Sequence, residues 1–194
     1  SRAAALGLML LASIAAGAPT PVLAQAQSAP QPNASDQPPV SVLGWRYEKG
    51  ANDVYVFYCE QARCVPGSKV SYRLYANSAP VMSLEEFRRS QEQVVKLLEQ
   101  RGPAGTKFQI LGVEGDNKTD RPALMKSIRL ITKADGTQEY GYTGVIMGKK
   151  LDASVISSSP DRNAAASNYA QFAAGVAVYA QALPSGAKAP EKKK

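Results

Sequence analysis

The chain predicts an α+β fold, a mostly antiparallel sheet of about six or seven strands with two amphipathic helices. Two patterns carry this expectation. Strand-like runs follow one another across turns too tight for a parallel crossover, and two longer stretches switch to the 3.6-residue period of a surface helix. The order reads β-β-β-α-β-β-β-β-α. With 44% hydrophobic and 20% charged residues, the composition is that of a globular domain.

The first three strand-like runs cover residues 40–47, 53–59 and 69–75. In the third, Val70, Tyr72 and Leu74 fall on one face and Lys69, Ser71 and Arg73 on the other, the alternation of a half-buried strand. Lys49, Gly50, Ala51, Asn52 and Asp53 supply turn chemistry between the first two runs. The period then changes. Ser83-Leu84-Glu85-Glu86 is a capping-box signature, and Leu84, Phe87, Val94 and Leu98 follow as a stripe that Gln91 interrupts. This helix is expected over 84–100 and is stopped by Arg101-Gly102-Pro103.

Four further strands are expected at 106–113, 125–132, 137–147 and 151–157. Ala134-Asp135-Gly136 reads as a hairpin turn between the second and third of these, and Gly148-Lys149-Lys150 can turn the third into the fourth. Ser159 is the expected N-cap of the last helix, with Pro160 at its first position and Asp161 in its first turn. Tyr169, Phe172, Val176 and Tyr179 form its apolar stripe, which ends near Pro184.

This plan resembles the Mog1/PsbP-like fold, including DcrB-type envelope proteins, over roughly residues 40–182. The most similar part is the end, GYTGVIMGKKLDASVISSSPDRNAAASNYAQF, which looks like that group's last hairpin, strand and closing helix. The resemblance implies a binding or assembly module more than an enzyme, although fold alone does not fix function. The export signal and early cysteine pair are also similar to those of the invasion-associated locus B group of small exported proteins.

The flanks carry the address. Arg2, the apolar run 3–16 and the small-residue ending Val22-Leu23-Ala24 read as a secretory signal peptide over residues 1–24. The expected mature start is Gln25 or Gln27. No cysteine follows the apolar run to accept a lipid, and the run is too short to stay as a permanent span. Residues 25–39 form a Pro-rich linker with little to bury, the domain is expected over 40–183, and residues 184–194 form a Lys-rich tail. The expected location is periplasmic or secreted, with no integral membrane segment after signal cleavage.

The formal charge of +7 divides unevenly. Arg2 belongs to the signal, the tail holds +3 and Asp36 holds −1, which leaves about +4 for the domain, dispersed along the sequence. A nucleic-acid binder concentrates its cations on one face, and none is expected here as a partner. The chain has no histidine, which removes Ser-His-Asp and Cys-His nucleophilic sites and His-ligated metals.

Cys59 and Cys64 are the only cysteines, and in an oxidising compartment they are expected to pair across a short loop. A redox role is the alternative, although the spacing is not Cys-x-x-Cys. Asp116-Asn117-Lys118-Thr119-Asp120 alternates like a calcium loop but puts Lys118 at a ligand position and Ser127 where the twelfth-position Glu belongs. It reads as a solvated turn, and neither metal nor cofactor is expected.

The candidate binding surface is aromatic: Trp45, Tyr47, Tyr55, Tyr58, Tyr72 and Tyr75, with Arg46 and Arg73 beside them. The chain has nine Tyr against four Phe, a tilt toward rings with one dry side and one wet tip, as interfaces use. Strand propensity alone would also place aromatics here. The leading expectation is an exported soluble non-enzymatic protein of the bacterial envelope that binds a protein or a small molecule. A carboxylate-based enzyme acting on cell-wall or polysaccharide material, drawing on Glu114, Asp116, Glu139 or Asp152, is the alternative from another class. A structural envelope component is the third.

Overall fold

A computed structural model of the protein describes residues 37–181 apart from Ser78 and Asn117. The expected signal peptide, nearly all of the linker, and the tail lie outside the described residues. The strands are β1 (Trp45–Lys49), β2 (Val54–Cys59), β3 (Lys69–Ala76), β4 (Lys107–Gly115), β5 (Ala123–Thr132), β6 (Gln138–Met147) and β7 (Leu151–Ser159). Helix α1 (Leu84–Arg101) falls between β3 and β4, and α2 (Arg162–Gln181) follows β7. The seven strands form one antiparallel sheet in the order β1-β2-β3-β7-β6-β5-β4. The order of elements is the one read from the sequence.

Local chemistry sets the boundaries. Ser83 caps α1 as expected: its hydroxyl accepts from the Glu86 amide at 3.2 Å, and a Glu86 carboxylate oxygen accepts from the Ser83 amide at 2.8 Å. The β5–β6 hairpin closes at Gly136, whose φ of +82° suits glycine. There the Thr137 amide donates to Asp135 Oδ1 at 2.9 Å.

Two expectations change. The first strand begins at Trp45 and not at residue 40, because Gly44 at φ +82° turns the chain and the Trp45 amide bonds back to the Val42 carbonyl. The cap of α2 is Asp161 and not Ser159. The Asp161 carboxylate accepts from the Ala164 amide at 2.7 Å, whereas Ser159 stays in the ladder opposite Tyr140.

Strand alternation gives the sheet two sides. Even positions of β6 and odd positions of β7, such as Tyr142, Ile146, Ala153 and Val155, face α2 and join its buried Tyr169, Phe172 and Val176. Ala165, Ala173 and Ala180 are also buried, and such small side chains let the helix lie close to the strands. Tyr169 lies directly over Gly144, where a Cβ would overlap its hydroxyl. On the other side Phe87 of α1 packs with Ala123, Met125 and Met147. Helix α2 rides on β7, β6 and β3, whereas α1 lies over β4 and β5. The α1 side of β1, β2, β3 and β7 therefore has no helix above it.

Candidate functional site

The register sorts the candidate aromatic set into two groups. Trp45, Tyr47, Tyr55 and Tyr72 face α2, in line with Phe57 and Val70. They form an aromatic layer: Tyr55 stacks on Tyr72 at 4.8 Å between centroids, and Trp45 meets Phe172 edge-on at 5.1 Å. Tyr72 is buried, and its hydroxyl both accepts from the Val40 amide at 3.0 Å and donates to the Val40 carbonyl at 2.8 Å. Burial, more than any charge, pushes the phenols of Tyr55 and Tyr72 upward from their ordinary range.

Arg46, Tyr58, Arg73 and Tyr75 face the opposite, uncovered side. The Arg46 guanidinium lies 4.8 Å over the Tyr58 ring and pairs with both Glu48 and Glu60. Arg73 lies 5.0 Å over the Tyr75 ring, whose hydroxyl meets Ser154 Oγ at 3.1 Å. Between these pairs the register places Val54, Val56, Ser71, Ser154 and Ile156, and Ile156 is 45% exposed. The result is a bare sheet surface with stacked Arg–Tyr pairs around a small apolar centre.

The α1 edge of this surface holds a residue that the sequence reading passed over. Arg129 of β5 is only 9% exposed, and its Nη2 donates to Thr143 Oγ1 at 2.6 Å and to Gln91 Oε1 at 3.4 Å. Burial pulls its pKa down from the usual arginine value. The signal was present in part: alternation in β5 puts Met125, Ser127 and Arg129 on one face, and Gln91 breaks the apolar stripe of α1.

Cys59 and Cys64 are joined in a disulfide, with Cα atoms 5.8 Å apart. Their loop and the first half of α2 enclose an open cleft of about 560 Å³, lined by Trp45, the disulfide, Arg63, Ser167, Asn168 and Gln171. The four carboxylates weighed for acid–base chemistry are each engaged with a cation. Glu114 pairs with Lys126 at 3.0 Å, Asp116 with Lys118 at 3.4 Å, Glu139 with Lys133 at 3.4 Å, and Asp152 with Arg121. Glu139 and Asp152 share a side of the sheet, but Asp152 lies opposite Met147, which puts them about 26 Å apart along β6. Among the described residues no cluster of three or more metal-binding side chains occurs, and no helix is long and apolar enough to cross a membrane.

No family model and no curated protein matches the chain. Solved structures do. One is the solution structure of cyanobacterial PsbP (CyanoP) from Synechocystis sp. PCC 6803, at 12% identity and a TM-score of 0.43, covering 70% of this chain and 93% of that one.

Proposed function

We propose that this chain is an exported, non-enzymatic binding or interaction protein of the bacterial cell envelope, and that it meets its partner through the bare half of the α1 side. The observation that carries this reading is the uncovered surface of β1, β2, β3 and β7, with Arg46 on Tyr58, Arg73 on Tyr75 and Ile156 open to solvent. Arginine and aromatic side chains are the groups enriched at interface centres. Export is supported by the order of charge, apolar run and small residues in 1–24, and by a disulfide in a small domain. A protein recovered from the producing bacterium with Gln25 or Gln27 at its N-terminus confirms it, and one recovered with residues 1–24 attached overturns it.

The partner test is site-specific. A photo-crosslinking side chain at Tyr58 or Ile156 is expected to trap one discrete envelope component, and the same group at Ala174, exposed on α2, is expected to trap none. Equal yields at both places sink the proposal. A partner recovered in fixed stoichiometry marks a structural component of the envelope. The carboxylate-enzyme reading finds little support, because each candidate acid sits against its own cation.

The cleft beside the disulfide favours a second reading, a small polar ligand, since its volume lies in the range that such ligands fill. Trp45 is the single tryptophan of the chain and lines this cleft. Occupancy is therefore expected to change the intrinsic tryptophan fluorescence, and candidate solutes that leave it unchanged are not cleft ligands.

A further inference from the structure

Helix α2 concentrates its polarity in one place. Between Ala164 and Ala180 its only polar side chains besides the two tyrosines are Ser167, Asn168 and Gln171, and all three line the cleft beside the disulfide. Solvent exposure does not explain the choice, because Ala170, Ala174 and Val178 of the same helix are exposed and apolar. None of the three polar side chains makes a hydrogen bond among the described residues.

The opposite wall is fixed in advance. The disulfide closes the loop from Cys59 to Cys64, the Cys64 amide donates to the Gln61 carbonyl at 2.9 Å, and Gln61 Nε2 donates to the Leu43 carbonyl at 3.0 Å. The Gln61 side chain also lies over Gly44, where a Cβ would overlap it. A wall already in place loses little freedom when a ligand arrives. Arg63 is the one charged residue lining the cleft among the described residues, and it forms no ion pair there.

This set of groups selects a ligand chemistry. Carboxamides and hydroxyls both donate and accept hydrogen bonds, which matches the O–H groups of a sugar. The half-buried indole of Trp45 offers the C–H face of a sugar ring an apolar surface to lie on. A guanidinium without a counter-charge calls for an acidic group, and it holds a carboxylate through two parallel N–H bonds. We propose that the cleft binds an acidic saccharide, a short oligosaccharide whose uronic-acid carboxylate meets Arg63 and whose hydroxyls meet Ser167, Asn168 and Gln171. This rests on the reading of the cleft as a small-ligand site.

The test is titration of the purified protein with trigalacturonate, with galactotriose of the same linkage as its neutral counterpart, and with a blocked, uncharged trialanine. Ionic strength is held constant, and binding is read by Trp45 fluorescence and by calorimetry. Trigalacturonate is expected to bind saturably and about tenfold tighter than the neutral trisaccharide, the difference that one charge-assisted contact supplies. Arg63→Gln is expected to abolish that preference, Arg63→Lys to recover part of it, and Gln171→Ala to weaken both sugars. Both positions are exposed, so these substitutions are not expected to disturb folding. Equal affinity of the parent for the two sugars, a preference that survives Arg63→Gln, or sugar binding untouched by Gln171→Ala overturns the proposal. Saturable binding of the peptide alone overturns the saccharide while the cleft remains a ligand site. Silence with all three overturns the saccharide and counts against the cleft as well.

Discussion

On the α2 side, aromatic rings from β1, β2 and β3 continue into the aliphatic contacts of β7 and β6, and most hydroxyls there are used. Ser157 donates to the Ala165 carbonyl at 2.9 Å, Ser68 to Ser159 at 3.0 Å, and Tyr72 is tied to Val40; the buried Tyr169 hydroxyl makes no hydrogen bond among the described residues. On the α1 side the apolar cluster is small, a guanidinium is buried without an anion, and Ser127 and Ser158 are unsatisfied. The lesson is a division of labour: one side holds the fold, and the other keeps polar groups waiting. On the proposed reading of the bare half-face, stability and recognition are separated by the thickness of one sheet.

The sharpest challenge to this division is Phe172→Ala. The ring is fully buried against Trp45 and Phe57, and its loss is expected to cost about 4 kcal/mol in denaturant unfolding. A cost under about 1 kcal/mol would show that the α2 side is not the structural one. Gly144→Ala comes next, at about 3 kcal/mol, since the new methyl must displace Tyr169. Removing the disulfide through Cys59→Ser with Cys64→Ser is expected to cost about 2 kcal/mol by the loop-entropy account. Tyr58→Ala, on the bare half, is expected to stay within about 0.5 kcal/mol of the parent. A larger loss there would mean that this ring is structural.

The smallest effect is an acid dependence that belongs to the periphery. Hydrogen bonds from Ser83 to Glu86, and from Thr137 to Asp135, lower both carboxyl pKa values. A folded pKa below the unfolded one gives stability that is complete above the ordinary carboxylate range, near pH 4, and is lost as pH falls through the folded value. Tm is therefore expected to be flat from neutrality down to about pH 5 and to decline below it. Ser83→Ala is expected to shrink the α1 part of that decline. An unchanged decline assigns it to other groups.

How much was legible in the sequence follows from the range of the interactions. Ser83, Glu86, Asp135 and Gly136 act on neighbours a few residues away, so their roles could be read directly. The alternation of β3 was equally visible, and it already implied that Tyr72 and Arg73 point to opposite sides. Which side is bare was not visible, because it depends on β3 pairing with β7, a contact between Leu74 and Ala153 far apart in the chain. Arg129 was hidden for the same reason: its burial requires α1 to fold back over β5 and bring Gln91 onto it. The cap of α2 was misplaced by two residues, because β7 continues through Ser159 and pairs there with β6.

The anchoring of Val40 has a bearing on how the molecule is held. Val40 is bound to Tyr72 and lies against Gly175 of α2, and the last turn of α2 is fastened where the Lys150 amide donates to the Ala180 carbonyl at 3.0 Å. Chain entry and chain exit thus leave the folded unit on the same side, opposite the bare half-face. A tether, fusion or solid support joined at Val40 or at Gln181 therefore attaches behind the sheet, on the side opposite the surface carrying Tyr58, Ile156 and Arg73.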